Sequence, residues 1–293
     1  MLHYYDYGED QLSYFDEGNI RDNDAHNERA TILLIHGFGE DHCIWKNQIQ
    51  FLSQYYRVIA PNLPGVHCKP LLIHHSHAPC IKNYVEVMHE LMHSLHIEKY
   101  YVLGHSMGGY IGLAFADYYT NHVIGLGLVH STTYEDSPVK KETRLKVAEF
   151  ILEHGTQKFL ETSTQNLFGN TFKQAHPEKV QDVMDSASDI SPEAMVQFVM
   201  AMRNRKSHEH MLTQKRIPVW MIVGDEDIAV PFEDSLQQTQ LLPPNHVIIL
   251  DQVGHMGMLE ATEEVNNALL TFIQAAENNK RQLIVAAKNN FKN

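Results

Sequence analysis

The chain is poor in cysteine, in basic residues and in long apolar runs, and each shortage removes a class of protein. Its three cysteines, Cys43, Cys68 and Cys80, are odd in number and irregular in spacing. They build no disulfide framework and fit a reducing compartment. No stretch approaches the roughly 20 apolar residues needed to span a bilayer. The opening MLHYYDYGEDQLSYFDEG has neither the basic start nor the apolar run of a secretory signal. A cytoplasmic protein without a membrane partner is expected. Lys and Arg number 23 against 36 Asp and Glu, a formal charge of -13. Nucleic acids and anionic lipid surfaces call for clustered Lys and Arg, so a small molecule is the expected partner.

What the chain does have is a rhythm. Short apolar runs rich in β-branched and aromatic residues alternate with longer amphipathic stretches, the pattern of parallel strands joined by helical crossovers. Strands are expected at Thr31 to Ile35, Tyr56 to Ala60, Tyr100 to Leu103, Val123 to Val129, Pro218 to Val223 and His246 to Leu250. An antiparallel edge hairpin is expected around Tyr4 and around Leu12 to Phe15. Helical spacing marks Ile44 to Gln54, Ile81 to Leu95, Met107 to Tyr119, Phe232 to Leu241 and Glu260 to Ala275, each expected to link neighbouring strands. From about Thr133 to Arg216 the rhythm breaks into helical patterns alone, such as Thr143 to Glu153 and Pro192 to Met202. The expected organisation is a core of residues 1–132 and 217–293 with a helical cap, or lid, inserted at 133–216. The closing KRQLIVAAKNNFKN reads either as further helix or as a frayed tail.

Four segments carry chemistry. Gly104-His105-Ser106-Met107-Gly108 lies between an apolar strand and a helical pattern. A sharp strand-to-helix turn needs small residues at its first and last positions and projects the Ser106 hydroxyl above the sheet. The bare pattern arises by chance in about one chain in ten of this length; its flanks, and the helix start that offers N–H groups to an oxyanion, raise its weight. His36-Gly37-Phe38-Gly39 follows the run TILLI and can supply half an oxyanion hole, with the Phe38 and Met107 N–H groups as the two donors. PVWMIVGDEDIAVP ends a strand in a loop carrying Asp225, Glu226 and Asp227. Asp227 is the preferred partner for a histidine, because it lies past the turn, and Asp225 is the alternative. Among 20 histidines, His255 in VGHMGMLE completes the order Ser, Asp, His.

With these motifs the sequence resembles the α/β-hydrolase family over nearly its whole length. The resemblance rests on HGFG at 36–39, NLPG at 62–65, GHSMGG at 104–109, GDEDIAVP at 224–231 and GHMGMLE at 254–260. It implies a mostly parallel sheet flanked by helices with an inserted helical cap. It also implies Ser106 as nucleophile, Asp227 as acid, His255 as base and Phe38 and Met107 as oxyanion donors, with no cofactor. The serine separates the chain from the dehalogenase and epoxide-hydrolase branches, which place an aspartate there. The family's usual second glycine after NLPG is replaced in VHCK.

The implied activity is hydrolysis of a small carboxylic ester. Carbon-carbon bond hydrolysis or lysis comes next, then thioester or amide cleavage, and last a non-catalytic ligand receptor on the same scaffold. His67, Cys68, His74, His75, His77 and Cys80 could be taken for a metal cluster, but their spacing matches no structural zinc pattern, and no metal is expected. Phe150, Phe159, Phe168 and Phe172 are expected mainly as cap core, with one or two lining an acyl pocket.

Overall fold

The computed structural model describes residues 1–7, 10–18, 30–71 and 78–290, with side chains described as far as residue 278. Eight strands form one sheet: β1 Leu2–Tyr7, β2 Asp10–Glu17, β3 Thr31–Ile35, β4 Arg57–Pro61, β5 Tyr100–His105, β6 Val123–Val129, β7 Val219–Gly224 and β8 Val247–Leu250. Their order is β1-β2-β4-β3-β5-β6-β7-β8. The expected hairpin pairs antiparallel, β2 pairs antiparallel with β4, and every other neighbour is parallel.

Parallel strands covered on both faces cannot afford a polar side, and β3, β5 and β7 are buried at every residue. Side-chain alternation then divides the core. Leu33, Ile35, Val102, Met221 and Val223 join one cluster, while Ile32, Leu34, Tyr101, Leu103, Trp220 and Ile222 join the other. The first is covered by α2 (Ile81–Ser94) and α3 (Met107–Tyr118), and the second by α1 (Lys46–Leu52) and the C-terminal helix. A buried amide links the two helices of that second layer, Gln48 Nε2 donating to Asn266 Oδ1 at 3.0 Å.

Two of the expected strand links fail. The helix at Glu260 to Ala275 follows the last strand and joins none. α2 does not join neighbouring strands: it carries the chain from β4 over β3 to β5. The chain first steps outward from β3 to β4 through α1 and must return across β3 to fill its other side. The connections leaving β3 and β5 therefore run to opposite faces, and they open a crevice at the carboxyl ends of these adjacent strands, where ligands of open α/β sheets bind.

Between β6 and β7 every described element is helical: α4 Pro138–His154, α5 Thr156–Ser163, α6 Asn170–Ala175, α7 Pro177–Ser186, α8 Pro192–Arg203 and α9 His210–Thr213. Two of these starts are written as Ser-Pro. Ser137 accepts from Lys140 N–H and Ser191 from Ala194 N–H, each followed by proline at the first helical position. Buried Asp136 pairs with Arg144 of α4 at 3.1 Å and with Arg205, just past α8, at 2.8 Å. The Arg205 guanidinium in turn lies 4.1 Å over the Tyr110 ring of α3, which ties the helical segment to the sheet layer.

After β7 come α10 Phe232–Thr239, then β8, α11 Gly257–Glu260 and α12 Thr262–Asn290, so the closing segment continues as helix to Asn290. No helix among the described residues is long and apolar enough to cross a membrane.

Candidate active site

Ser106 stands between β5 and α3 with φ 50° and ψ −115°, a conformation that costs a non-glycine residue about 1–3 kcal/mol and is retained only when its surroundings over-determine it. Those surroundings are on both sides. Its N–H donates to Val129 O at 3.0 Å, and its carbonyl accepts from Gly109 N–H at 2.9 Å and from Ser131 Oγ at 2.8 Å. A Cβ at Gly104 would overlap the Gly108 carbonyl, and one at Gly108 would overlap the Ile35 carbonyl, so the turn admits only glycine at these places. His105 and Met107 are buried while Ser106 keeps partial exposure.

The HGFG loop leaves β3 beside this turn. A Cβ at Gly37 would stand 3.2 Å from Ser106 Cβ. His36 fixes the loop: its Nε2 accepts from Leu63 N–H at 2.9 Å, so the proton sits on Nδ1, which donates to Gly37 O at 2.8 Å. Burial holds this imidazole below its ordinary pKa, consistent with a neutral ring. Neither the Phe38 nor the Met107 N–H has an acceptor among the described residues. Two unspent donors flank Ser106.

Asp227 and His255 meet. His255 Nδ1 donates to Asp227 Oδ2 at 2.7 Å, both side chains being buried, while Asp227 Oδ1 accepts from Ala229 N–H and Val230 N–H, each at 2.9 Å. With Nδ1 carrying the proton, His255 Nε2 is left with its lone pair free. Burial pushes the His255 pKa down, but the Asp227 charge and hydrogen bond outweigh it and the net direction is up. Burial likewise pushes Asp227 up and is overcome by His255 and His130, leaving the carboxyl far below its usual range. Asp225 and Glu226 face elsewhere, accepting from Val253 N–H at 3.3 Å and Asn170 N–H at 2.6 Å.

Three further residues belong to this centre that the sequence reading did not single out. Buried Glu40 accepts from Gly37 N–H at 2.8 Å and lies 2.9 Å from His105 Nδ1; His105 Nε2 donates to the His255 carbonyl at 2.9 Å. One pair thus joins the HGFG loop, the Ser106 turn and the His255 loop, and the His105 and His255 rings lie 4.8 Å apart. Burial raises Glu40 while His105 lowers it, and the net direction is down. Both His105 nitrogens face acceptors. Glu40→Gln strips the charge opposite that buried ring and is expected to destabilise the fold by about 3 kcal/mol, read as an earlier guanidinium midpoint at pH 7. An unchanged midpoint would show the pair to be dispensable. The third residue is His130, buried at the end of β6 with φ 49°, its Nδ1 3.5 Å from Asp227 Oδ2. Burial, the largest influence, lowers its pKa to about 4, which keeps it neutral beside the carboxylate.

Apolar rings close over the HGFG loop from the helical segment. Phe38 packs on Phe159 of α5 at 5.6 Å and on Phe198 of α8 at 6.4 Å. A Cβ at Gly39 would meet Leu160 and Met195. Phe159 is thus the one of the four anticipated phenylalanines that reaches this region. Phe168 is buried in the second core cluster with Phe172 stacked on it, and Phe150 packs on His154.

Of the His- and Cys-rich loop, His74, His75 and His77 lie outside the described residues. His67 pairs with Asp41 at 3.3 Å, Cys68 Sγ accepts from Gly65 N–H, and Cys80 caps α2 through Asn83. Among the described residues, ligand atoms gather at Asp41, His42 and Cys43, and at His130, Asp227 and His255. The latter is the Asp227–His255 pair with His130 beside it.

A strained turn serine stands between a parallel strand and a helix at the switch-point crevice, and a buried Asp227–His255 pair stands on the loops after β7 and β8. The family model for the alpha/beta hydrolase fold matches residues 30–262, and the chain belongs to that family. Its curated relatives include a protein named carbamate hydrolase RutD from Acinetobacter baylyi, 23% identical over 252 residues, covering 84% of this chain and 93% of that one. A 2-hydroxy-6-oxononadienedioate/2-hydroxy-6-oxononatrienedioate hydrolase from Pseudomonas is 22% identical over 87% of this chain and 92% of its own. Among solved structures, a thermophilic esterase from Thermogutta terrifontis superposes with a TM-score of 0.83 at 25% identity, covering 94% of this chain and 99% of that one.

Proposed function

We propose that the protein is a serine hydrolase that cleaves small carboxylic esters through an acyl-enzyme on Ser106. The observation that carries this reading is the 2.7 Å bond from His255 Nδ1 to Asp227, which leaves Nε2 free to act as a base beside the Ser106 turn. His255 takes the Ser106 proton as Oγ attacks the ester carbonyl. Phe38 N–H and Met107 N–H receive the oxyanion, each such donor contributing about 2.7–4 kcal/mol to the transition state. The alcohol leaves with the proton from His255, and water repeats the cycle on the acyl-enzyme. Helices α4–α9 act as the cap, and Phe38, Phe159, Leu160, Met195 and Phe198 bound an acyl pocket that favours short chains. No cofactor enters these steps.

The test is hydrolysis of p-nitrophenyl esters from acetate to octanoate by the parent and by Ser106→Ala. Turnover that falls off beyond short acyl chains and vanishes in the variant supports the proposal; turnover that survives the substitution overturns it. A second reading, hydrolysis of a carbon-carbon bond in a dicarbonyl compound, draws on the name of the Pseudomonas relative. It is favoured if p-nitrophenyl esters are not turned over while a vinylogous 1,5-diketone is.

The raised pKa of His255 sets the acid limb of the pH profile. The base works only unprotonated, so kcat/KM falls as the pH drops through that pKa. The midpoint is expected above the ordinary histidine value of about 6.5. A profile of kcat/KM from pH 5 to 9 checks this, and a midpoint below the ordinary value would contradict the pairing with Asp227.

A further inference from the structure

Far from the Ser106 turn, at the opposite ends of the strands, histidines converge on a surface pocket of about 130 Å³ lined by His89, His93, His96, Ile97, Glu98 and His122. That is one-fifth of the chain's 20 histidines in one place. His89 and His93 sit one turn apart on α2, so their side chains leave the same face of the helix. His122 approaches from the turn between α3 and β6, its ring 5.2 Å from that of His89.

Two details set this group apart from a solvated polar face. His122 Nδ1 donates to the Glu98 carbonyl at 2.8 Å, which fixes the tautomer and leaves Nε2 with a free lone pair. Metal-bound histidines use this same arrangement, the second ring nitrogen donating to a backbone carbonyl. His89 is clamped face to face on Tyr119 at 3.8 Å, and its Nδ1 is buried with no partner.

We propose that His89, His93 and His122 form a binding site for one divalent transition-metal ion of the zinc, nickel or copper class. Imidazole nitrogens suit these ions, and three of them with water complete a tetrahedral shell. The chain's net charge of -13 favours a cation. As the rings stand, the three sets of nitrogens are not all within 4.8 Å of one another. His93 is exposed, and the proposed site requires its side chain to rotate toward His89 and His122. The proposal does not depend on the chemistry at Ser106.

Calorimetric titration of the metal-free full chain with zinc chloride at pH 7.5 tests it. One zinc ion per chain is expected, with affinity at least tenfold weaker in His93→Ala and in His122→Ala and unchanged in Cys43→Ser. Because His93 is exposed, its variant is expected to keep the parent's melting temperature and ester turnover. Absence of zinc binding overturns the site, and so does binding that His93→Ala and His122→Ala leave untouched or that Cys43→Ser removes.

Discussion

Ser106→Ala is expected to lower kcat by roughly 10⁴- to 10⁶-fold, the loss seen when the nucleophile of a serine, histidine and aspartate set is removed while oxyanion donors and substrate contacts remain. The fold is expected to survive. The turn is held through the Ser106 backbone, by Val129, Gly109 and Ser131, and the glycines at 104 and 108 admit the close approach whatever stands between them. An unchanged melting curve alongside lost turnover separates a missing nucleophile from a collapsed site. Lost turnover with a lowered melting point would leave the chemistry unassigned to Oγ.

The second large effect concerns the acid. Asp227→Asn is expected to lower kcat by about 10⁴-fold at neutral pH, whereas Asp225→Asn is expected to change it little. The reason lies in how the carboxylate is held. Asp227 Oδ1 is fixed by the Ala229 and Val230 N–H groups, so an asparagine places its carbonyl oxygen there and turns its NH₂ toward His255. A donor facing Nδ1 forces the ring proton onto Nε2, and that tautomer cannot accept the Ser106 proton. Among the described residues the Asp225 carboxylate accepts from Val253 N–H alone, a bond that an asparagine carbonyl keeps. Equal losses in the two variants would remove Asp227 from its assigned role.

Much of this fold was legible because local chemistry dictates it. The buried parallel strands read as continuous apolar runs, the helical spacing at Thr143 to Glu153 and Pro192 to Met202 fell inside α4 and α8, and the glycines around Ser106 reported a turn with no room for side chains. Strand order was less legible. Both α1 and α2 show ordinary helical spacing, and nothing in α2 tells that it passes over β3 to reach β5.

The centre divides in the same way. Ser106, Asp227 and His255 each stand at the end of a strand or in the loop after it, where a motif marks them. Glu40 and His105 are 65 residues apart, and their pairing is a product of β3 lying beside β5. The only local hint was a carboxylate directly after HGFG. His130 gave less still, since a histidine closing an apolar strand carries no sign of the Asp227 carboxylate that it faces.

The most direct measurement is peptide mapping by mass spectrometry after incubation with a fluorophosphonate, which reacts with a serine only when a base and an oxyanion hole act on it together. The expected result is one adduct per chain, on the peptide containing Ser106, formed at a rate that drops with His255→Ala. An adduct on another residue, or none from a protein that still turns over esters, would contradict Ser106 as the nucleophile.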